Sequence, residues 1–221
     1  MSAVQHVVWD WNGTLFDDLD ARVQGMNAVC NAFSVPHIDA ELFRQHHTRP
    51  ARLFYENVIG RPLDDNEFTH CEMIFLDSYA IASNFAQLAP DAYELMTFIH
   101  ARGATQSILS MWQHSQLIPL AERLGINKFC LRVDGVEDLL GLQKADYLAR
   151  HLKELEEETH RNLANESTLM IGDIVDDAEA AQHTGIRIAL VAVGAESPET
   201  LRATGFPTFD SLEDAVHHAF I

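Results

Sequence analysis

An α/β fold is predicted for this chain, with a Rossmann-like parallel sheet as its core and an all-helical insert near its start. Three observations predict it. After about residue 86, short apolar runs alternate with segments of helical period, the pattern of strands joined by crossover helices. The runs are apolar throughout, as in strands covered on both faces. Between about 17 and 85 the apolar residues recur at three and four, with no strand-like run. The expected division is a core of residues 1–16 and 86–221 and a helical insert of residues 17–85.

Residues 4–9 (VQHVVW) read as a buried strand that stops at the polar turn Asp10–Thr14. Val23, Met26, Val29, Cys30 and Phe33 begin the helical texture, which runs to Tyr79 and is broken at Pro36, Pro50 and Gly60–Pro62. That spacing predicts four or five helices. A helix over 91–101 comes next, closed by Gly103. After it come a strand over 105–110, a helix over 114–124, a strand over 129–133 and a helix over 144–158. A strand over 168–171 leads into Gly172–Asp173 and a helix over 177–184. A strand over 187–193, a helix over 198–204, a short segment over 207–209 and a helix over 212–220 close the sequence.

The 221 residues suffice for a substantial core. Hydrophobic residues at 47% and charged residues at 22% exclude disordered and low-complexity classes. Fifteen Lys and Arg against 33 Asp and Glu leave a formal charge of −18. Net attraction to nucleic acid or to an anionic lipid surface is excluded. An anionic small molecule remains possible where a metal or local cations reverse the field. Cys30, Cys71 and Cys130 share no CxxC spacing, which points to a reducing compartment. The N-terminus has no basic segment followed by an apolar run, and no window of about 18 apolar residues occurs. A cytoplasmic location is expected. The 12 His are scattered without an HExxH pair.

Parallel sheets bind ligands beyond the carboxyl ends of their strands. Asp10, Ser110 and Asp173 each sit at such an end. The strongest local pattern is Asp10-Trp11-Asn12-Gly13-Thr14-Leu15, where Gly13 permits a tight turn beside a ligand. The second is Gly172-Asp173-Ile174-Val175-Asp176-Asp177. Three carboxylates near Asp10 repel one another unless a hard divalent cation is present, and Mg2+ suits one or two carboxylates plus waters and a phosphate oxygen. Lys144 offers a fixed positive charge beside them. Plainer readings stand next to these: a turn acid for Asp10, helix-dipole charges for the acidic trio, a helix cap for Ser110 and a solvated helix lysine for Lys144.

At these residues the sequence resembles the haloacid dehalogenase superfamily, in its phosphoglycolate-phosphatase-like branch. The DxDGTL loop appears as DWNGTL, the strand-ending Ser or Thr as Ser110, the Lys as Lys144 and GDxxxD as Gly172 to Asp177. The insert matches that branch's cap domain in position and type. The resemblance implies a Mg2+-dependent phosphatase acting on a small phosphorylated metabolite. Asp10 would be the nucleophile and would form an aspartyl-phosphate. Asp10, the Asn12 backbone carbonyl and Asp173 would hold the metal, with Asp177 supporting metal water or Lys144, and Asp176 able to share that duty. Ser110 and the N–H after it would hold a phosphoryl oxygen, and Lys144 would pair with Asp10 and the phosphate. Arg49 is expected to reach an anionic end of the substrate. Arg52 and His46–His47 are weighed for the same role against a solvated helix end.

Two positions depart from the family pattern. Ala145 comes after Lys144 where Pro is usual. More consequentially, Asn12 stands where the family has its general acid/base Asp, and an amide has no usable proton to exchange, so it cannot serve as a general acid or base. Losing such a group costs about 10²–10⁴-fold in rate. Slow hydrolysis of alkyl phosphates is expected, with good leaving groups suffering least, and Asp restored at position 12 is expected to raise turnover. The alternative is a phosphate-binding relative with little turnover and a regulatory or scaffold role. A dehalogenase would not need the acidic cluster. Trp11 is expected to pack, Glu154–Glu158 and Asp64–Glu67 to be solvated faces, and Phe16, Asp17 and Asp18 to lead into the insert without chemistry.

Overall fold

The computed structural model describes residues 3–137 and 143–221. Its centre is β1 (His6–Trp9), whose four residues are all buried. Beside it lie β4 (Thr105–Gln113) and β6 (Thr168–Gly172), and outside them β5 (Cys130–Val136), β7 (Arg187–Val191) and β8 (Thr208–Phe209). The six strands run in the order β5-β4-β1-β6-β7-β8 and every pairing is parallel. Trp9 pairs in register with Ile108 on one side and Ile171 on the other. Asp10, Leu109 and Gly172 are therefore level, and Ser110 and Asp173 lie one residue beyond.

Strand periodicity of two sorts the core into two layers. Val7, Trp9, Ile108, Leu169 and Ile171 face one cluster with α5 (Ala92–Ala101), α6 (His114–Arg123) and α10 (Leu212–Phe220). Val8, Leu109 and Met170 face the other with α7 (Lys144–Thr159) and α8 (Val175–Thr184). α9 (Pro198–Ala203) lies between β7 and β8 in the chain. A buried polar chain runs through the second layer. Ser107 Oγ lies 2.9 Å from His6 Nε2 and 2.8 Å from His151 Nε2, and His151 Nδ1 lies 2.7 Å from Asp134. Burial without such partners would cost each group, so the chain is satisfied internally.

Residues 19–82 carry α1 (Leu19–Phe33), α2 (Ala40–His46), α3 (Ala51–Ile59) and α4 (Asp65–Ala82). Their apolar faces meet in a cluster of their own around Met26, Val29, Cys30, Phe43, Phe54, Tyr55 and Cys71. Where the chain enters and leaves this bundle, β2 (Phe16–Asp17) and β3 (Gln87–Leu88) pair antiparallel. The helical period gave no sign of this ribbon, because two-residue strands leave no period to read.

Other boundaries moved for local reasons. β4 runs on to Gln113, but its pairing to β5 shifts between Leu109 and Gln113, so Ser110 sits where the regular ladder ends. α8 starts at Val175, two residues before the expected 177. The acidic runs are more than solvated faces. Asp64 and Glu67 form a reciprocal capping box that starts α4. Glu154 and Glu158 both pair with Arg132 of β5, the latter at 2.7 Å. Trp11 packs as expected, fully buried and stacked on Phe16 at 5.2 Å.

Candidate active site

The sheet delivers Asp10, Asp173 and Asp177 to one point. Oxygens of the three carboxylates all lie within 4.8 Å of one another, and all three residues are buried. Asp10 is the first residue past β1, and its N–H continues the ladder to Ile171 O at 2.8 Å. Asp173 is the first past β6. Its Oδ2 accepts the Ala195 N–H at 2.7 Å and its Oδ1 accepts the Thr14 hydroxyl at 3.3 Å. Asp177 sits in the first turn of α8 and turns back, its Oδ2 accepting the N–H groups of Asp173 at 3.0 Å and Ile174 at 3.1 Å. That satisfies orphan donors at the helix start. Lys144 opens α7 and drives its ammonium into the cluster, paired with Asp10 and, at 2.5 Å, with Asp177 Oδ1.

The electrostatics are unbalanced. Burial pushes the Asp10 carboxyl up to about 6, against the pull of Lys144 and with the Asp177 charge adding to the rise. Burial, then Asp10, pushes Asp173 well above the usual carboxylate range, while Arg22 opposes it. Burial disfavours the charged form of Lys144, but Asp10 and Asp177 more than offset it and hold its pKa above the ordinary value. Three carboxylates thus face one ammonium in a site with little water to screen them. A divalent cation fits this donor set by charge and by hard oxygen chemistry. Two glycines keep the place open: a Cβ on Gly13 (φ 80°) or on Gly194 would strike the Asp173 carboxylate.

Ser110 is buried, its Oγ accepting the Trp112 N–H at 3.0 Å and lying 3.4 Å from Asn12 Oδ1. Asn12 is held by residues to which the sequence gave no chemistry. Its Nδ2 donates at 2.9 Å to Asp18 Oδ2 and at 2.9 Å to the Tyr79 hydroxyl. Tyr79 donates to the same Asp18 oxygen at 2.7 Å, and Arg22 Nε donates to it at 3.0 Å. Because a carboxylate only accepts, the amide nitrogen must face Asp18 and the amide oxygen must face Ser110.

The candidates on the insert divide. Arg49 and His47 line the cleft above the carboxylates. Arg49 is half exposed, with Nε 3.7 Å from Asp176 Oδ2, so Asp176 faces the insert. Burial pulls His47 down to about 3, with Arg22 and Arg49 adding to the fall, and its Nδ1 lies 3.9 Å from Glu196 Oε1. Arg52 turns away, to Leu63 O at 2.9 Å and Asp65 at 2.6 Å. His46 is not among the residues lining the cleft. Sequence reasoning missed Arg44, which donates to Gly194 O at 2.8 Å and Val193 O at 3.0 Å and so ties α2 to the loop carrying Ala195. It also missed Glu196, whose carboxylate accepts the Val175 N–H at 2.8 Å and which burial pushes up to about 7. Both Gly194 and Glu196 come just after the strand over 187–191, at the same edge as Asp10, and that placement was the available signal.

The cleft has a volume of about 320 Å3, within the range of small-molecule sites. Residues 7–191 match the model of one protein family. The chain belongs to the haloacid dehalogenase-like hydrolase family. Among particular relatives, the phosphoglycolate phosphatase of Caulobacter vibrioides is 27% identical over 97% of this chain and 87% of its own length. The fold matches a haloacid dehalogenase-like hydrolase from Streptococcus pneumoniae with a TM-score of 0.80, at 21% identity over 99% of this chain and all of that one. It also matches a predicted phosphoglycolate phosphatase from Haemophilus somnus with a TM-score of 0.76, at 17% identity over 99% of each chain.

Proposed function

We propose that this hydrolase is a Mg2+-dependent phosphoric monoester phosphatase working through an aspartyl-phosphate on Asp10. Its substrate is a small phosphorylated metabolite held between the core and a helical cap formed by residues 17–85. The observation that carries this reading is the convergence of Asp10, Asp173, Asp177 and Lys144 within one buried cluster. The name of the Caulobacter relative supports the same reading.

Asp10, the Asn12 backbone carbonyl and Asp173 would hold the metal, with Asp177 behind them. Its chemistry is neutralisation of charge on the phosphoryl oxygens. The chain's own groups do the rest. The Asp10 carboxylate attacks phosphorus in line, and the P–O bond to the leaving group breaks. A carboxylate nucleophile divides one hard displacement into two easier ones. Lys144 keeps Asp10 ionised and faces the phosphoryl group, and Ser110 donates to one of its oxygens. Water then displaces Asp10. Asn12 orients groups at this point without taking or giving a proton, so both steps are slowed.

Turnover of phosphate esters is expected with Mg2+ and is expected to vanish with EDTA and in Asp10→Asn. Turnover that survives either treatment overturns the reading. Asn12 favours a second reading, a phosphate-binding relative with little turnover and a regulatory or scaffold role; binding of phosphate without release of product would support it. Three unpaired cysteines support a cytoplasmic location. Among the described residues, no helix is long and apolar enough to cross a membrane.

A further inference from the structure

Building on the phosphatase reading, we infer that the preferred substrates are small aryl phosphates, whose ring lies on the aromatic wall of the cleft and whose oxygen departs as a phenolate.

The first support is that, among the described residues, no side chain lining the cleft is free to give the leaving oxygen a proton; Glu196 is held by the Val175 N–H and does not line the cleft. Asn12 has no proton acidic enough to give up, and its amide is fixed by Asp18 and Tyr79. The Tyr79 hydroxyl already donates its proton to Asp18 at 2.7 Å. His47 is held unprotonated at neutral pH by burial. Lys144 is clamped by Asp10 and Asp177. The leaving oxygen must therefore depart as an anion. A phenol, with a pKa of about 10, does so far more readily than an alcohol resembling water at about 15.7.

The second support is the wall itself. Phe54, Phe75, Tyr79, Met111 and Trp112 line the cleft. Phe75 stacks on Tyr79 at 6.0 Å, and Tyr79 meets Trp112 edge-on at 6.1 Å. Rings so placed favour a further ring over a polyol or a carboxylate. The third is charge. Each of the three Lys and Arg residues that line the cleft already faces a carboxylate: Arg22 with Asp18 at 3.0 Å, Arg49 with Asp176 at 3.7 Å, and Lys144 with Asp10. A second anionic group, as in phosphoglycolate, would have to compete for one of them.

In the first step an Asp10 oxygen forms a bond to phosphorus while the bond from phosphorus to the aryl oxygen breaks, its electron pair leaving on the phenolate. In the second, water bonds to phosphorus and the Asp10–phosphorus bond breaks. The proton released from water matches the one the phenolate takes up in solvent.

The test compares kcat/KM with Mg2+ for phenyl phosphate, acetyl phosphate, glycerol phosphate and 2-phosphoglycolate on the full chain. Phenyl phosphate is expected to exceed both alkyl esters by about 100-fold. Trp112→Ala is expected to lose about tenfold more on phenyl phosphate than on acetyl phosphate, which needs no leaving-group protonation and has no ring. Should that variant fail to fold, inhibition of the unaltered protein gives the same information, with phenylphosphonate expected to bind about tenfold tighter than methylphosphonate. Hydrolysis of phosphoglycolate as fast as phenyl phosphate, or equal binding of the two phosphonates, overturns the aryl assignment and leaves the phosphatase reading standing. No turnover of any of the four compounds, acetyl phosphate included, overturns both.

Discussion

Asn12 is where one residue changes the chemistry expected of the whole site. The structure also changes the simple remedy. An Asp at position 12 would place a second carboxylate where Nδ2 now lies 2.9 Å from Asp18 Oδ2. Two carboxylates at that range share one proton. Asn12→Asp alone is therefore expected to give a smaller gain on glycerol phosphate than Asn12→Asp with Asp18→Asn, which restores one donor and one acceptor. The double variant is expected to gain about 10²-fold or more in kcat/KM. Equal rates in the single and double variants would show that Asp18 does not control this position. Asn12 was legible because a short motif surrounds it. The group that holds it was not, because Tyr79 lies 61 residues from Asp18 and reads as one more apolar position on a helix.

At the scale of elements, the site depends on the loops at the carboxyl ends of the strands rather than on the strands themselves. The loop after β7 supports the clustered carboxylates without supplying one. Ala195 N–H holds Asp173, Gly194 leaves room for it, and Arg44 fastens that loop to α2. A methyl group on Gly194 would collide with the Asp173 carboxyl and with Gly13 O. Gly194→Ala is expected to weaken Mg2+ binding and activity by about 10–100-fold, the usual cost of disturbing a residue behind a metal ligand. Titration calorimetry with Mg2+ checks this, and an unchanged affinity would contradict it. The alternation of strands and helices was legible, because buried parallel strands and amphipathic helices have distinct periods. The β2–β3 ribbon and the loop contacts were not, since they rest on pairings between distant short segments.

Across the whole molecule, 33 acidic residues are spread over a surface and one buried edge, and the buried ones set the response to pH. Burial raises Asp10 to about 6 and Glu196 to about 7, and raises Asp173 as well. A carboxyl raised on folding contributes stability below its unfolded value of about 4, and that contribution is lost as pH rises through the folded value. Buried His6 and His47, both held down to about 3, act in the opposite sense up to about pH 6.5, so the readout is the Mg2+-induced rise in thermal midpoint, which is expected to be larger at about pH 8 than at about pH 5. A metal-induced shift independent of pH would contradict this. The direction could not be read from net charge, which says nothing of which acids are buried. The most direct measurement of the central claim is mass spectrometry of peptides from protein quenched in acid during turnover of acetyl phosphate. The expected result is a phosphoryl group on the peptide carrying Asp10, dependent on Mg2+ and missing in Asp10→Asn. Undiminished phosphate release from Asp10→Asn, with no phosphoryl group on that peptide in the unaltered protein, would contradict it.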